Sequence, residues 1–272
     1  MIEKYYDGAI KQVAAGLGTV EKNHLLVRYS GQFSVENLND TKQLEKNEDI
    51  FVQVHEFEMG EITCAYEPYL TMICDGFRRY MTGTFEEFME TCDVYYLHRP
   101  VLLGYFNQDD TGREEIILLD EVAYEQERML AALERMLCAI ADRHPVLLVL
   151  NRFQLASKST MQLTARLLKC ENCNIGFVLG VSDIQAMPEF LVPDWEMLYE
   201  TLDDGSKIYH IGNSGRKKEE TIDDEKYVDY GSEKVYRKLH NMVEFLDFDQ
   251  AAYYLETIER KIKFDNLLVD DA

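Results

Sequence analysis

The clearest periodic signal in the chain is a short aliphatic run bounded by polar residues. His144-Pro145 precedes Val146 to Leu150, which reads as a strand buried on both faces. After a polar crest, Ser159 stands three residues before Gln162, a capping-box spacing, and a helix through Leu163 and Leu167 follows. Similar apolar runs at 24–29, 49–57 and 174–181 predict further core strands. Helical spacing marks residues 3–18, with Ala9, Ile10, Val13 and Leu17 on one side. It also marks 68–80 and 84–89, and it is strongest at 120–142, where Val122, Met129, Leu133, Met136, Leu137 and Ile140 recur. Two hairpins are predicted. One joins 101–106 to 115–119 through Asn107-Gln-Asp-Asp-Thr-Gly112; the other joins 195–202 to 207–211 through Asp203-Asp204-Gly205-Ser206. The polar stretch 212–230 reads as a linker, and 232–264 as two helices around Asp247-Phe248-Asp249.

Strands alternating with helices predict an α/β fold with a mainly parallel sheet, whose chemistry gathers at the carboxyl ends of the strands. The chain has 272 residues, enough to bury a sizeable core, with 46% hydrophobic and 29% charged residues, a globular composition. Its net charge of −22 argues against nucleic-acid or anionic-membrane partners, because phosphate contacts need clustered Lys and Arg. The start, Met-Ile-Glu-Lys-Tyr-Tyr, lacks a basic region followed by an apolar stretch, and no run approaches the roughly 18 apolar residues of a membrane span. The expectation is a cytoplasmic protein.

Six cysteines are scattered through the sequence, and disulfides are not expected in that compartment. Cys170-Glu-Asn-Cys173 has the spacing of a metal pair, yet no second pair or paired histidines complete a site. It is read as a helix end leading into a strand, and no metal is expected. Gly16-Leu17-Gly18 fails as a dinucleotide loop, because Glu21 takes the third glycine position and the motif precedes a strand. After the 24–29 strand, a phosphate loop would need a glycine-rich turn ending in Gly-Lys-Ser/Thr. The chain has Gly31-Gln-Phe-Ser-Val-Glu-Asn-Leu38, with one glycine and an acid that would repel phosphate. Ile116-Ile-Leu-Leu-Asp120-Glu121 fits a strand ending in catalytic acids, with Asp120 holding magnesium and Glu121 polarising water. The same acids equally suit the start of the helix that follows.

Residues 24–183 resemble the signal-transduction P-loop NTPases of the STAND class, relatives of AAA proteins that often precede helical repeats in regulators. In that class the corresponding strand runs into Asp-Asp, an apolar residue, Gln, an aromatic, Ala and Asp. Here it runs into Asn151-Arg152-Phe153-Gln154-Leu155-Ala156-Ser157, so Gln154 and Ala156 match and the two acids are Asn151 and Arg152. In the loop, Asn37 takes the lysine position and Leu38 the hydroxyl position, and Ser182-Asp183 supplies no sensor arginine.

The resemblance implies a three-layer P-loop NTPase-like domain over residues 1–200. A hairpin and charged linker over 201–231 and a TPR-like helical hairpin over 232–272 would follow. It also implies a vestigial nucleotide cleft lined by Gly31, Asn37, Asn151 and Arg152, with no catalytic residue, metal or cofactor. The leading expectation is a non-catalytic regulatory or interaction module, a pseudo-NTPase. It would serve a protein partner or an output domain such as a transcription regulator or nucleotide cyclase. The alternatives are a magnesium-dependent NTPase working through Asp120 and Glu121, and a small-molecule sensor reusing the vacated cleft.

Overall fold

The structure is a computed structural model that describes residues 2–18, 24–31, 33–35, 49–58, 63–109, 121–170, 173–183, 187–203, 207–211 and 233–270. Its centre is an all-parallel sheet of β1 (Leu25–Tyr29), β2 (Phe51–Glu56), β3 (Val146–Asn151), β4 (Ile175–Ser182) and β5 (Lys207–Ile211). The strand order is β2-β3-β4-β1-β5, so β4 separates β1 from β3. In register, Val146 pairs with Phe51 on one side and Ile175 on the other, and Leu25 lies between Val178 and Lys207. Every residue of β3 is buried, as its unbroken aliphatic run requires of a strand covered on both faces.

The two-residue alternation divides the core. Leu147 and Val149 of β3, Val27 of β1 and Val178 of β4 pack on one side against Tyr6, Ile10 and Val13 of α1 (Ile2–Gly16). Leu148, Leu150, Leu26, Phe177 and Leu179 face the other way. There they meet α2 (Tyr69–Tyr80), α5 (Val122–Ala141), α6 (Lys158–Lys169) and α7 (Val192–Asp203). Between α2 and α5 run α3 (Phe85–Thr91) and α4 (Arg99–Asn107). Thr84 and Glu87 close a reciprocal capping box at the start of α3, satisfying two backbone donors at once.

Most of the expected strands and helices stand where the hydrophobic period puts them. Two predicted hairpins do not. The apolar run at 101–106 is helical, forming most of α4, because Pro100 fits the first turn and Val101 and Leu102 turn to the core together. Its partner run, with the rest of that predicted hairpin beyond Asp109, lies outside the described residues. Residues 195–202 are also helical. Leu191, Leu198 and Leu202 are buried with Trp195 packed beside them, a spacing of four, three and four that only a helix brings to one side. The strand after it therefore does not fold back on 195–202, but joins the sheet edge parallel to β1.

The start of α6 also differs from the capping-box expectation. Ser157, rather than Ser159, is the N-cap, accepting from Thr160 N at 3.3 Å. Ser159 sits inside the first turn, where its Oγ accepts from Tyr66 N at 3.0 Å. Two further amides of that turn are taken by the C-terminal helical pair and the turn within it. Ser159 N donates to Asp247 Oδ2 at 3.1 Å and Lys158 N to Gln250 Oε1 at 3.2 Å. Asp247 lies between α8 (Glu233–Glu244) and α9 (Phe248–Asp270), which pack together through Val235, Met242 and Ala251. A helix leaves its first four amides without intrahelical partners, and here the helical pair supplies two of the missing acceptors. Asn241 Oδ1 accepts from Ala65 N, and Phe245 meets the rings of Tyr66 and Tyr105 edge-on, extending the contact.

Asp247→Ala should therefore loosen the helical pair and cost about 1–2 kcal/mol in urea denaturation, the usual loss for a removed cap in a buried setting. Asp247→Asn, which keeps an acceptor oxygen, should lose less.

Candidate functional site

The carboxyl ends of β1, β2, β3 and β4 lie along one edge of the sheet, the place where a parallel α/β fold offers its loops to a ligand. The sequence-predicted residues Gly31, Asn151 and Arg152 all come to this edge. Asn37 lies outside the described residues, as do Leu38 and Asp120.

Asn151 ends β3 and is completely buried. Its Oδ1 accepts from Tyr29 Oη at 2.7 Å and from Tyr6 Oη at 3.1 Å, and its Nδ2 donates to Phe33 O at 3.1 Å. The amide thus joins β3 to α1, to β1 and to the loop after β1. Tyr6 reaches it over β4, and Gly180 makes that path possible. A Cβ at 180 would stand 1.7 Å from Tyr6 Oη and 2.5 Å from Asn151 Oδ1. The aromatic rings of Tyr6, Tyr29 and Phe33 pack against one another around the amide.

Arg152 follows in a left-handed conformation, φ 54°, which costs a non-glycine residue about 1–2 kcal/mol. From this turn Arg152 Nη2 reaches Glu56 Oε1 at 2.9 Å, with both side chains largely buried. Glu56 ends β2, and its second oxygen accepts from Ser34 Oγ at 2.7 Å and Val35 N at 3.0 Å. One carboxylate therefore takes a guanidinium, a hydroxyl and a backbone amide from the loop after β1. Those three donor types are the ones a phosphate would draw on.

A third set of bonds closes the edge between β3 and β4. Gln154 reads both backbone groups of Ser182, donating to its O at 3.0 Å and accepting from its N at 3.3 Å. Ser182 Oγ donates to Gly31 O at 3.3 Å, and Gly31 N donates to Asp183 Oδ1 at 3.2 Å. Gly31 has φ 90°, a conformation that favours glycine. The loop after β1 is thus tied to the ends of β2, β3 and β4 by side chains of the protein itself.

Burial governs the ionisation of the two phenols. It pushes Tyr29 up to about 12, an effect that Arg152 and the Asn151 hydrogen bond reduce. Burial also raises Tyr6 well above its ordinary value, with Tyr29 and Glu56 adding to the shift. Both phenols therefore remain protonated donors to Asn151 at neutral pH.

Sequence reasoning had singled out Gly31, Asn151, Arg152 and Gln154, but it missed Tyr6 and Glu56. Tyr6 was legible, because it continues the buried stripe of Ile10 and Val13 one turn earlier. Glu56 carried a weaker signal, as a charged residue closing an apolar strand at its carboxyl end. Glu121 stands at the start of α5, and its side chain makes no capping bond there. Among the described residues, no helix is long and apolar enough to cross a membrane. Comparison of the chain with protein-family models and with curated proteins finds no match.

Two measurements probe the edge. Gly180→Ala should break the Tyr6–Asn151 contact and destabilise the fold by about 1–3 kcal/mol, as overpacking does, whereas Gly8→Ala in open space on α1 should not. A phenol whose folded pKa is raised keeps its proton after the unfolded chain has lost it, near pH 10. Stability from Tyr29 is therefore complete below about pH 10 and falls as the pH rises toward about 12. Tyr29→Phe should flatten that alkaline loss in a series of urea unfolding curves.

Proposed function

We propose that this chain carries a P-loop NTPase-like domain whose nucleotide edge is closed by its own side chains. In this reading it serves as a non-catalytic regulatory or protein-interaction module. The parallel sheet supports the first half, with the Gly31 loop after β1 and the Asn151–Ala156 crest after β3 at the same edge. The observation that carries the second half is the Glu56 carboxylate. It accepts from the Arg152 guanidinium, Ser34 Oγ and Val35 N, and so stands as an internal anion where the resemblance would put phosphate.

Phosphoryl transfer depends almost wholly on positioning and on positive charge around the transferring group. At this edge the acid position holds a neutral amide whose oxygen and nitrogen are both engaged. The neighbouring cation is neutralised by Glu56. An incoming nucleotide would have to displace a carboxylate that is already bonded and nearly enclosed. The same self-filling weighs against a small-molecule sensor at this edge. The acidic chain, with net charge −22, fits a protein partner or an output domain better than nucleic acid.

The test is thermal unfolding of the protein with ATP or GTP, each with and without Mg²⁺. A ligand at one hundred times its Kd stabilises the native state by about 2.7 kcal/mol, a readily measured shift. No shift is expected with any nucleotide. Glu56→Gln, which leaves Arg152 and Val35 N without their anion, should gain stabilisation by inorganic phosphate that the parent lacks. A magnesium-dependent shift that disappears in Asp120→Asn would instead make the protein an NTPase working through Asp120 and Glu121.

A further inference from the structure

The opposite edge of the sheet holds a second cluster, unconnected with the crest. Cys138 lies in the last turn of α5, Cys170 caps the end of α6, and Cys173 stands two residues before β4. Thirty-two residues separate the first two in sequence, yet their sulfurs are 3.7 Å apart. All three Sγ atoms lie within 4.8 Å of one another. Cys173 is buried, while Cys138 and Cys170 are partly exposed.

We propose that Cys138, Cys170 and Cys173 bind a thiophilic d10 cation, with zinc as the ion to test. Zinc bonds thiolate sulfur at about 2.3 Å in tetrahedral sites, which sets neighbouring sulfurs about 3.8 Å apart. The observed spacing needs little adjustment to reach that figure. A disulfide would draw two sulfurs to about 2.05 Å and strand the third, whereas one cation uses all three. The cation reaches the group from the partly exposed side, and water completes the fourth position. One turn before Cys138 and one turn before Cys170, Glu134 and Arg166 pair at 2.8 Å and hold α5 and α6 in alignment. Each bound thiol gives up its proton to solvent, so affinity rises with pH. A cation here would tie together the ends of α5 and α6 and the entry to β4, a structural role distant from the crest.

The experiment uses the full chain, reduced and freed of metal, titrated with Co²⁺ and then with Zn²⁺. Expected are one cobalt per chain, a sulfur-to-cobalt charge-transfer band that zinc abolishes, and a higher Tm with zinc. Cys138→Ser and Cys170→Ser should each weaken binding by more than the about 10–100-fold typical of losing an outer-shell partner. Cys64→Ser and Cys74→Ser should bind as the parent does. Far-ultraviolet circular dichroism of the metal-free variants separates lost ligation from lost folding. Alkylation followed by peptide mass mapping needs no variant, and zinc should protect these three cysteines together. Absence of the charge-transfer band in the parent would overturn the proposal. So would a band retained in Cys138→Ser, or a Cys170–Cys173 disulfide that forms in place of metal uptake.

Discussion

A single buried amide holds the carboxyl edge of the sheet together. Asn151 closes β3, an interior strand, where the sheet ends, a position from which water is excluded and at which polar groups must find partners within the protein. Its oxygen serves two phenols and its nitrogen serves the Phe33 carbonyl, so α1, β1 and the loop after β1 are all referred to one side chain. An amide offers the acceptor and the donor that this position uses. A carboxylate would accept from the tyrosines but would face the Phe33 carbonyl with a second acceptor, and each buried group left unmatched costs about 1–3 kcal/mol. The amide at this position is thus a structural joint.

Two internal carboxylates extend the same logic. Glu56 gathers the guanidinium of Arg152 with Ser34 and Val35, and Asp247 takes an amide from the first turn of α6. A loop after a β-strand and a helix N-terminus are the two features by which α/β proteins hold external anions. Here each is supplied with an anion from the chain. Asp247 is almost fully buried, and that burial raises its pKa, with the Ser159 contacts opposing the shift. Its bonds to α6 help it carry charge in a place where a lone carboxylate would favour its neutral form. It also fixes where the C-terminal helices dock, so the anion substitution and the attachment of the helical pair are one arrangement.

How far the sequence disclosed this depends on the range of each signal. The five strands and the long helix α5 were legible because their periods are local and unbroken. α4 and α7 were not, since short apolar runs fit either period, and what decides between them is which neighbours they meet. The capping of α6 was misread by two residues, because Ser157 and Ser159 are both plausible caps. Only the approach of Tyr66 and Asp247, 93 and 88 residues away from Ser159 in sequence, assigns their roles. Glu56 and the Cys138–Cys170 pair were hidden for a like reason. Each joins segments that only the strand order brings together, and no local spacing encodes that order.

Arg152 shows which interaction dominates at this edge. A left-handed arginine is strained, and such strain persists only where the surroundings over-determine it. The strained turn aims the guanidinium at Glu56, which in turn accepts from Ser34 and Val35 of the loop after β1. Breaking one partner of a largely buried pair leaves an uncompensated charge, at about 3–5 kcal/mol in enclosed settings, more than the strain it offsets. The ion pair therefore outweighs the backbone strain that positions it.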